Sequence, residues 1–159
     1  MIVRRAQEKD MPGIISCLEQ VLMVHYEGRP DLFKPHTRKY TDEELLQIIA
    51  DDERPIFVAV DEDAADGAIL GYAFCVYEVY AGHNNMTDHR TLYIDDICVD
   101  EAARGKHVGT TIYQHVINFA RAEGFYNVTL NVWSCNPGAQ AFYEAMGMKP
   151  YKVGMETIL

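Results

Sequence analysis

Apolar residues recur at helical spacing near the start of the chain. Four residues lie three or four positions apart on one predicted helix face: Ile14, Leu18, Val21 and His25. Asp10 followed by Pro12 is typical of a helix start, and Gly28 marks the expected end. Thr41 begins a capping-box pattern, which predicts a short second helix through about Ala50.

The rest of the chain alternates between strand-like and helix-like segments. Strands rich in β-branched and aromatic residues are predicted at residues 2–5, 56–60, 68–80, 92–99 and 127–133, with two more short strands closing the chain. Residues 61–67 form an acidic turn between two of these strands. Helices are predicted from Val108 to Ala122 and from Asn136 onward, where Pro137 follows the N-cap. This order predicts an α+β fold with a mixed sheet.

Length and composition favour one domain spanning residues 1–159, with 48% hydrophobic and 24% charged residues. No apolar run approaches the roughly 20 residues of a membrane-spanning helix, and the N-terminus has no secretion signal. We therefore expect a cytoplasmic protein with no membrane partner. Its net charge of −10 argues against nucleic acid as a partner. The four scattered cysteines and the absence of a C-x-x-C pattern predict reduced thiols and no metal site.

The most informative segment joins the strand at residues 92–99 to the helix that begins at Val108. Six residues make this turn: Arg104, Gly105, Lys106, His107, Val108 and Gly109. A strand that leads through such a turn into a helix presents unpaired backbone N–H groups and the positive end of the helix dipole to an anion. An ordinary strand-to-helix turn, with glycines for tight packing, is the alternative. The spacing is not that of a P-loop.

The turn resembles the pyrophosphate loop of the GNAT superfamily of acetyl-CoA-dependent N-acetyltransferases, Arg/Gln-x-x-Gly-x-Gly/Ala. It departs from that pattern at His107, which stands in the place of the first glycine. A second family pattern, Asn-x-x-Ala-x-x-Phe/Tyr-Tyr/Phe-x-x-x-Gly-Phe/Met, matches residues 136–148. The resemblance implies a GNAT-like fold: a mixed, mostly antiparallel central sheet of six to seven strands flanked by about four helices.

The resemblance also implies the chemistry, which is direct attack of a primary amine on the thioester of acetyl-CoA. Acetyl-CoA is then a co-substrate, and no metal is needed. In this family, strand backbone groups hold the pantetheine arm and the loop wraps the pyrophosphate. The corresponding residues are Ile97, Cys98, Val99, Arg104, Gly105, Lys106, His107, Val108, Gly109, Thr110 and Asn136.

Two proton transfers define the candidate catalytic residues. A primary amine is mostly protonated at pH 7, and forming its free base costs roughly 4–5 kcal/mol. Asp95 and Asp96 are the candidate bases, and we expect their side chains to point to opposite faces of the strand. The strand resembles that of the spermidine/spermine N-acetyltransferases, which implies Asp95 as the base and Asp96 as a supporting or amine-binding acid; Glu78 could share the relay. A structural pairing with a loop lysine or arginine is the alternative for either acid. Tyr143 takes the family's position for the proton donor to the leaving thiolate, with a core aromatic as the alternative.

Other polar residues are weaker candidates. His25 lies on an apolar helix stripe and is interpreted as half-buried packing, whereas His83 and His89 could line a substrate pocket. Cys135 has no recognisable activating partner and is interpreted as packing.

The acceptor is expected to be a small amine or a polyamine-like molecule, because the chain is acidic. A protein N-terminus or lysine is one alternative, and a non-catalytic acyl-CoA-binding domain is another. Dimers are common in the superfamily, so a homodimer is expected.

Overall fold

The computed structural model describes residues 1–64 and 67–159, so part of the predicted acidic turn lies outside the described residues. The strands are β1 (Ile2–Arg5), β2 (Ile56–Asp61), β3 (Ala68–Tyr80), β4 (His89–Val99) and β5 (Asn127–Leu130). The α-helices are α1 (Met11–Gly28), α2 (Asp42–Ala50), α3 (Val108–Ala122) and α4 (Pro137–Ala145).

The five strands form one mixed sheet in the order β1-β2-β3-β4-β5. The first three pairings are antiparallel, and β4 pairs with β5 in parallel through the crossover helix α3. The expectation of six to seven strands is wrong for the described residues. The strand predicted for residues 127–133 ends at Leu130, and the two predicted after α4 are absent there. Alternating patterns mark segments that could pair, but a strand forms only where a neighbouring strand supplies hydrogen bonds.

The core lies on both faces of the sheet. On one face, α1 and α2 bury Ile14, Leu18 and Leu45 against the strands. On the other, α3 buries Ile112 and Val116. Burying a large aliphatic side chain contributes about 1.5–3 kcal/mol, so these stripes hold the helices in place. None of the helices in the described ranges is both long and apolar enough to cross a membrane.

Two predicted helix starts are confirmed by their capping hydrogen bonds. Thr41 Oγ1 accepts from the Glu44 amide at 3.2 Å, while the Glu44 carboxylate accepts from the Thr41 amide at 2.8 Å. Asn136 Oδ1 accepts from the Ala139 amide at 3.1 Å at the start of α4. Each cap satisfies helix amides that would otherwise lack a partner.

A bulge in β4 shapes the middle of the sheet. Phe74 of β3 faces Asp96, and the next residue, Cys75, faces Ile94, so Asp95 is the extra residue. The β4–β5 pairing also ends there, at Ile94 opposite Leu130. Beyond that pair β4 and β5 no longer form hydrogen-bonded partners, and a cleft opens between them.

Candidate active site

The start of α3 offers backbone donors to an anion. His107 precedes the helix with a φ of 60°, and its side chain makes no capping hydrogen bond. A positive φ is uncommon outside glycine, although histidine is one of the residues that tolerates it better. His107 therefore keeps the left-handed conformation that a glycine adopts easily, and the first-turn amides of α3 lack a side-chain acceptor.

A small cleft of about 300 Å³ lies beside this turn, and we call it the loop cleft. β4 contributes Ile97 and Val99, whereas α4 contributes Phe142 and Tyr143. The turn contributes Arg104, Gly105, His107, Val108, Gly109 and Thr110, all of which were predicted to hold CoA. Lys106 is exposed and does not line it.

The edge of β4 beside this cleft has no strand partner after Ile94 among the described residues. The backbone at Ile97, Cys98 and Val99 is therefore available on that side for an extended ligand arm. The Cys98 side chain points elsewhere, because its buried Sγ lies 3.4 Å from the carbonyl oxygen of Cys17 in α1. A free strand edge, uncapped helix amides and Arg104 together fit the pantetheine and pyrophosphate of CoA.

Gln20 of α1 holds the segment between β4 and this turn in place through two hydrogen bonds. Its Nε2 donates to Asp100 Oδ2 at 2.9 Å, and its Oε1 accepts from the Glu101 amide at 3.0 Å. Sequence patterning did not single out Gln20, since nothing local relates it to a turn 80 residues away.

A second cleft, of about 1910 Å³, lies where β4 and β5 diverge, and we call it the large cleft. Asp95 and Asp96 both line it. The expectation that they face opposite sides of the strand is therefore wrong. That expectation assumed regular alternation, whereas the bulge at Asp95 interrupts the alternation and leaves both carboxylates beside one cleft.

The two carboxylates have different partners. Asp95 Oδ2 accepts from Lys39 Nζ at 2.6 Å and from the Tyr40 hydroxyl at 3.1 Å. Burial lowers the pKa of Lys39, but the adjacent Asp95 carboxylate outweighs that effect and leaves it raised. The sequence left open the pairing of either acid with a loop lysine or arginine, but Lys39 and Tyr40 were not singled out, because they lie in a segment without periodicity between α1 and α2.

Asp96 is held by the buried Tyr72, whose hydroxyl donates to Asp96 Oδ2 at 2.6 Å. Burial raises the pKa of Asp96 to about 6, although the Tyr72 hydrogen bond and the Lys39 charge oppose the rise. Asp96 therefore changes protonation state near neutral pH, where a proton acceptor is useful.

Tyr143 of α4 lines both clefts, as do Ile97 and Ala139. The two clefts therefore meet at these three residues. Burial raises the pKa of the Tyr143 hydroxyl, and the charges of Asp96 and Tyr113 add to the effect. Tyr143 consequently keeps its proton at neutral pH and can act as a hydrogen-bond or proton donor where the clefts join.

The weaker candidates lie away from this junction. Glu78 accepts from the Tyr80 hydroxyl at 3.2 Å and lines neither cleft. His83 and His89 also line neither cleft; they pack around the Tyr80 ring at the far end of β3 and β4. The predicted half-buried position of His25 is confirmed, with its ring 5.1 Å from that of Phe33.

The cysteines are free, as expected, but they differ in exposure. Cys17, Cys75 and Cys98 are buried, whereas Cys135 is exposed and touches the α1 backbone at Gly28.

The large cleft is basic although the chain is acidic. Half of the 14 Lys and Arg residues line it: Arg29, Lys34, Arg38, Lys39, Arg121, Lys149 and Lys152. Four acidic residues line it: Asp95, Asp96, Glu144 and Glu156. The global charge therefore did not predict the charge of this cleft.

Comparisons with known proteins identify the family to which this chain belongs. The chain is 32% identical over 114 residues to glucosamine 6-phosphate N-acetyltransferase 1 of Oryza sativa subsp. japonica, covering 71% of this chain. That match spans 62% of the rice protein, less than two thirds of its length. The chain is also 26% identical over 149 residues to thialysine N-epsilon-acetyltransferase of Bos taurus, covering 92% of this chain and 83% of the bovine protein.

A solved structure extends the comparison to the whole fold. The crystal structure of a mutant protein from Bacillus halodurans has a TM-score of 0.93 and 28% sequence identity, covering 100% of this chain and 99% of that one. The family model for the acetyltransferase (GNAT) family matches residues 21–148. This range includes the three residues that line both clefts and the loop before α3. The chain therefore belongs to the GNAT family of acetyltransferases.

Proposed function

We propose that this chain is an acetyl-CoA-dependent N-acetyltransferase that acts on a primary amine of a small molecule. The observation that carries the proposal is the junction of the two clefts at Tyr143. A donor held in the loop cleft and an acceptor held in the large cleft would meet there, and two carboxylates line the large cleft. Family membership supports the reaction class, and the rice and bovine relatives are both N-acetyltransferases by name.

Acetyl-CoA supplies an acetyl thioester, and the reaction replaces its C–S bond with a C–N bond to the acceptor. The first-turn amides of α3 and the Arg104 guanidinium would hold the pyrophosphate, and Gln20 would keep the turn in shape. The unpaired backbone of β4 at residues 97–99 would orient the pantetheine arm. These groups bind and position; they do not exchange protons.

Asp96 is the proton acceptor in this proposal, in place of Asp95, which the family resemblance implies. A base works best when its pKa is close to the working pH, and the pKa of Asp96 is about 6. Asp95 is held by Lys39 and Tyr40, so its carboxylate is already committed to an ion pair. In this proposal, Asp95 keeps Lys39 and Tyr40 in place beside the acceptor, while Asp96 takes the amine proton.

Tyr143 supplies the second proton transfer. As the C–S bond breaks, its hydroxyl donates to the leaving sulfur, and solvent restores the proton afterwards. The proton that leaves the amine and the proton that reaches the thiolate are thus transferred by two different groups, Asp96 and Tyr143.

The acceptor class follows from the lining of the large cleft. The acidic net charge favoured a polyamine-like acceptor, but Asp95 is neutralised by Lys39, and Arg29 and Arg38 are also ion-paired. Among the cleft residues that make no ion pair within the described part of the chain, the basic side chains still outnumber the acidic ones: Lys34, Arg121, Lys149 and Lys152 against Asp96 and Glu144. We therefore favour a small primary amine that also carries an acidic group. Glucosamine 6-phosphate, the substrate for which the rice relative is named, is an amine of this kind.

The test is release of free thiol from acetyl-CoA with matched acceptors: glucosamine, glucosamine 6-phosphate, lysine, spermidine and an N-terminal peptide. Acetyl transfer to any small amine, identified by mass spectrometry of the product, supports the proposal. Thermal stabilisation by CoA with no transfer to any acceptor would favour the non-catalytic binding domain. Transfer to the peptide alone would favour a protein acetyltransferase.

A further inference from the structure

The hydroxyl of Tyr72 lies in the core, directly beside the candidate base. Tyr72 of β3 is fully buried, and its hydroxyl donates to Asp96 Oδ2 at 2.6 Å. A buried tyrosine hydroxyl needs a hydrogen-bond partner, and Asp96 supplies it here. Asp96 also lines the large cleft, whereas Tyr72 lines neither cleft. The carboxylate of Asp96 therefore lies between a donor in the core and the space for the acceptor.

The register of the sheet explains how Tyr72 reaches Asp96. Tyr72 faces Cys98 across the β3–β4 pairing and Phe74 faces Asp96, so Asp96 is a diagonal neighbour of Tyr72. Diagonal neighbours on a sheet are within reach of a long aromatic side chain. The rings of Tyr72 and Phe74 meet edge to face, with centroids 4.9 Å apart, and both belong to the core that α1 covers. Packing therefore fixes the position of the Tyr72 hydroxyl.

Titratable groups from several parts of the chain interact with the charge of Asp96. They are Tyr72 of β3, Asp95 and Cys98 of β4, Lys39 of the segment before α2, Cys17 of α1 and Tyr143 of α4. Lys39 and Asp95 form an ion pair, and their charges move the pKa of Asp96 in opposite directions. Burial raises the pKa of Asp96, and the Tyr72 hydrogen bond is the strongest influence that opposes the rise.

The hydrogen bond from Tyr72 counteracts the effect of burial on Asp96. A carboxylate that is shielded from water favours its neutral form, whereas a hydrogen bond donated to it favours the charged form. Burial raises the pKa of the Tyr72 hydroxyl well above its ordinary value, and the charge of Asp96 adds to the effect. Tyr72 therefore keeps its own proton and remains a donor at neutral pH.

We propose that Tyr72 is a positioning residue for acetyl transfer: its hydroxyl holds the Asp96 carboxylate beside the large cleft in its charged form, ready to take the proton of the acceptor amine. Tyr72 exchanges no proton itself and acts through Asp96. The inference rests on the proposed function, in which Asp96 is the base. The lowest pH at which the enzyme works is then set by a core residue that lines neither cleft.

The first experiment compares the pH profiles of kcat/KM. Tyr72→Phe removes the hydroxyl and keeps the ring, so the acidic limb should move up by about 1–2 pH units, and the rate should recover at higher pH where Asp96 ionises. Tyr77→Phe is the matched control: it removes a hydroxyl from the same strand at a residue that lines neither cleft, and the limb should stay in place. An unmoved limb in Tyr72→Phe, or a loss of rate that is equal at every pH, overturns the proposal.

Carbon-13 NMR of protein labelled at the aspartate carboxyl carbons measures the same property without a substrate. The Asp96 signal is assigned by its loss in Asp96→Asn. Its titration midpoint should lie near pH 6 in the wild type and about 1–2 pH units higher in Tyr72→Phe. An unchanged midpoint contradicts the effect of Tyr72 on Asp96, whatever the activity. A raised midpoint without acetyl transfer to any acceptor would support that effect and contradict the proposed function alone.

A second substitution at the same position strengthens the hydrogen bond instead of removing it. Site-specific incorporation of 3-fluorotyrosine in place of Tyr72 makes the hydroxyl more acidic and therefore a stronger donor. The acidic limb and the NMR midpoint of Asp96 should then move to lower pH, opposite to the shift in Tyr72→Phe. Thermal unfolding with and without CoA verifies that each variant is folded. If Tyr72→Phe does not fold, the fluorinated protein decides the question, and a midpoint that does not fall contradicts the proposal.

Discussion

The ammonium of Lys39 lies 2.6 Å from the carboxylate of Asp95, in the cleft that Asp96 also lines. The pair joins the irregular segment before α2 to the bulge in β4. Lys39 neutralises Asp95, whereas the pKa of the adjacent Asp96 is raised to about 6. Lys39 thus divides two similar carboxylates into a fixed ion pair and a group that can gain or lose a proton.

Replacing Lys39 with Met should move the acidic limb of the kcat/KM profile to higher pH. The Lys39 charge lowers the pKa of Asp96, so its removal lets that pKa rise further. Stability should fall by less than about 1 kcal/mol, because the ammonium is half exposed. Lys34→Met is the control, because it removes the charge of another lysine that lines the same cleft. Among the described hydrogen bonds and ion pairs, none joins Lys34 to Asp95 or Asp96, so the acidic limb of this variant should stay in place. Equal shifts in both variants would indicate a general cleft charge effect.

Asp96→Asn should lower kcat by roughly 10²–10⁴ and abolish the acidic limb near pH 6, because an amide cannot accept the amine proton. Asp95→Asn is the informative comparison, since it neutralises the adjacent acid. We expect it to affect acceptor KM more than kcat and to retain the limb. The opposite result would assign the role of general base to Asp95, as the family resemblance implies.

The same residue makes a stability prediction that needs no substrate. The folded pKa of Asp96 is above its ordinary value of 3.8, so the folded state binds this proton more tightly than the unfolded state. Wild type should therefore lose stability as pH rises from about 4 to about 6, by on the order of 3 kcal/mol relative to Asp96→Asn. Urea unfolding of both proteins across that window measures the difference. Parallel curves would show that Asp96 ionises normally.

Tyr143→Phe removes one hydroxyl and keeps the ring that lines both clefts. We expect CoA to bind normally, as measured by calorimetry, while kcat falls by roughly 10²–10⁴ because the thiolate loses its donor. Tyr113→Phe, a similar change on the neighbouring face of α3, should have little effect on kcat. An unchanged rate in Tyr143→Phe would assign Tyr143 to packing.

Local patterns predicted most of the fold. The bounds of α3 and β3 and the caps at Thr41 and Asn136 depend on nearby residues, and the sequence was sufficient for them. The end of β5 and the missing last strands were not predictable in this way, because a strand also needs a neighbour. Residues 151–155, for example, have strand periodicity but pair with no strand in the described part of the chain.

The site was predicted in part, for a related reason. Motifs identified the loop residues and Tyr143 because each motif is contiguous in sequence. The bulge at Asp95 follows from the register of β3 on β4, which no local pattern shows. The partners Lys39 and Tyr72 contact the two acids from distant segments. The sequence therefore left open an ion pair to either acid without identifying its lysine, and the raised pKa of Asp96 was not predictable from it.

His107→Gly should stabilise the protein, by about 1 kcal/mol at most. A side chain at a φ of 60° is strained by roughly 1–2 kcal/mol, and the greater freedom of glycine in the unfolded chain offsets part of the gain. CoA affinity should stay equal or improve, because the backbone conformation of the turn is already that of a glycine. Thermal unfolding with and without CoA tests both statements. A large loss of affinity would mean that the imidazole itself contacts the ligand.

The last prediction concerns the charge of the acceptor. Lys34, Arg38 and the other basic residues of the large cleft should raise the local concentration of an acidic amine, and salt should weaken this effect. We therefore expect kcat/KM for glucosamine 6-phosphate to exceed that for glucosamine and to fall as ionic strength rises, while the rate for glucosamine changes little.

Lys34→Glu supplies the matched change in the protein, because it reverses one cleft charge outside the proton-transfer groups. It should lower kcat/KM for glucosamine 6-phosphate several-fold and change that for glucosamine, which has no phosphate, much less. A preference for spermidine that salt weakens would instead favour the polyamine-like acceptor, since attraction of a polycation requires that Asp95 and Asp96 outweigh the surrounding basic side chains. Equal rates for all three amines, insensitive to salt, would mean that the cleft selects its acceptor by shape.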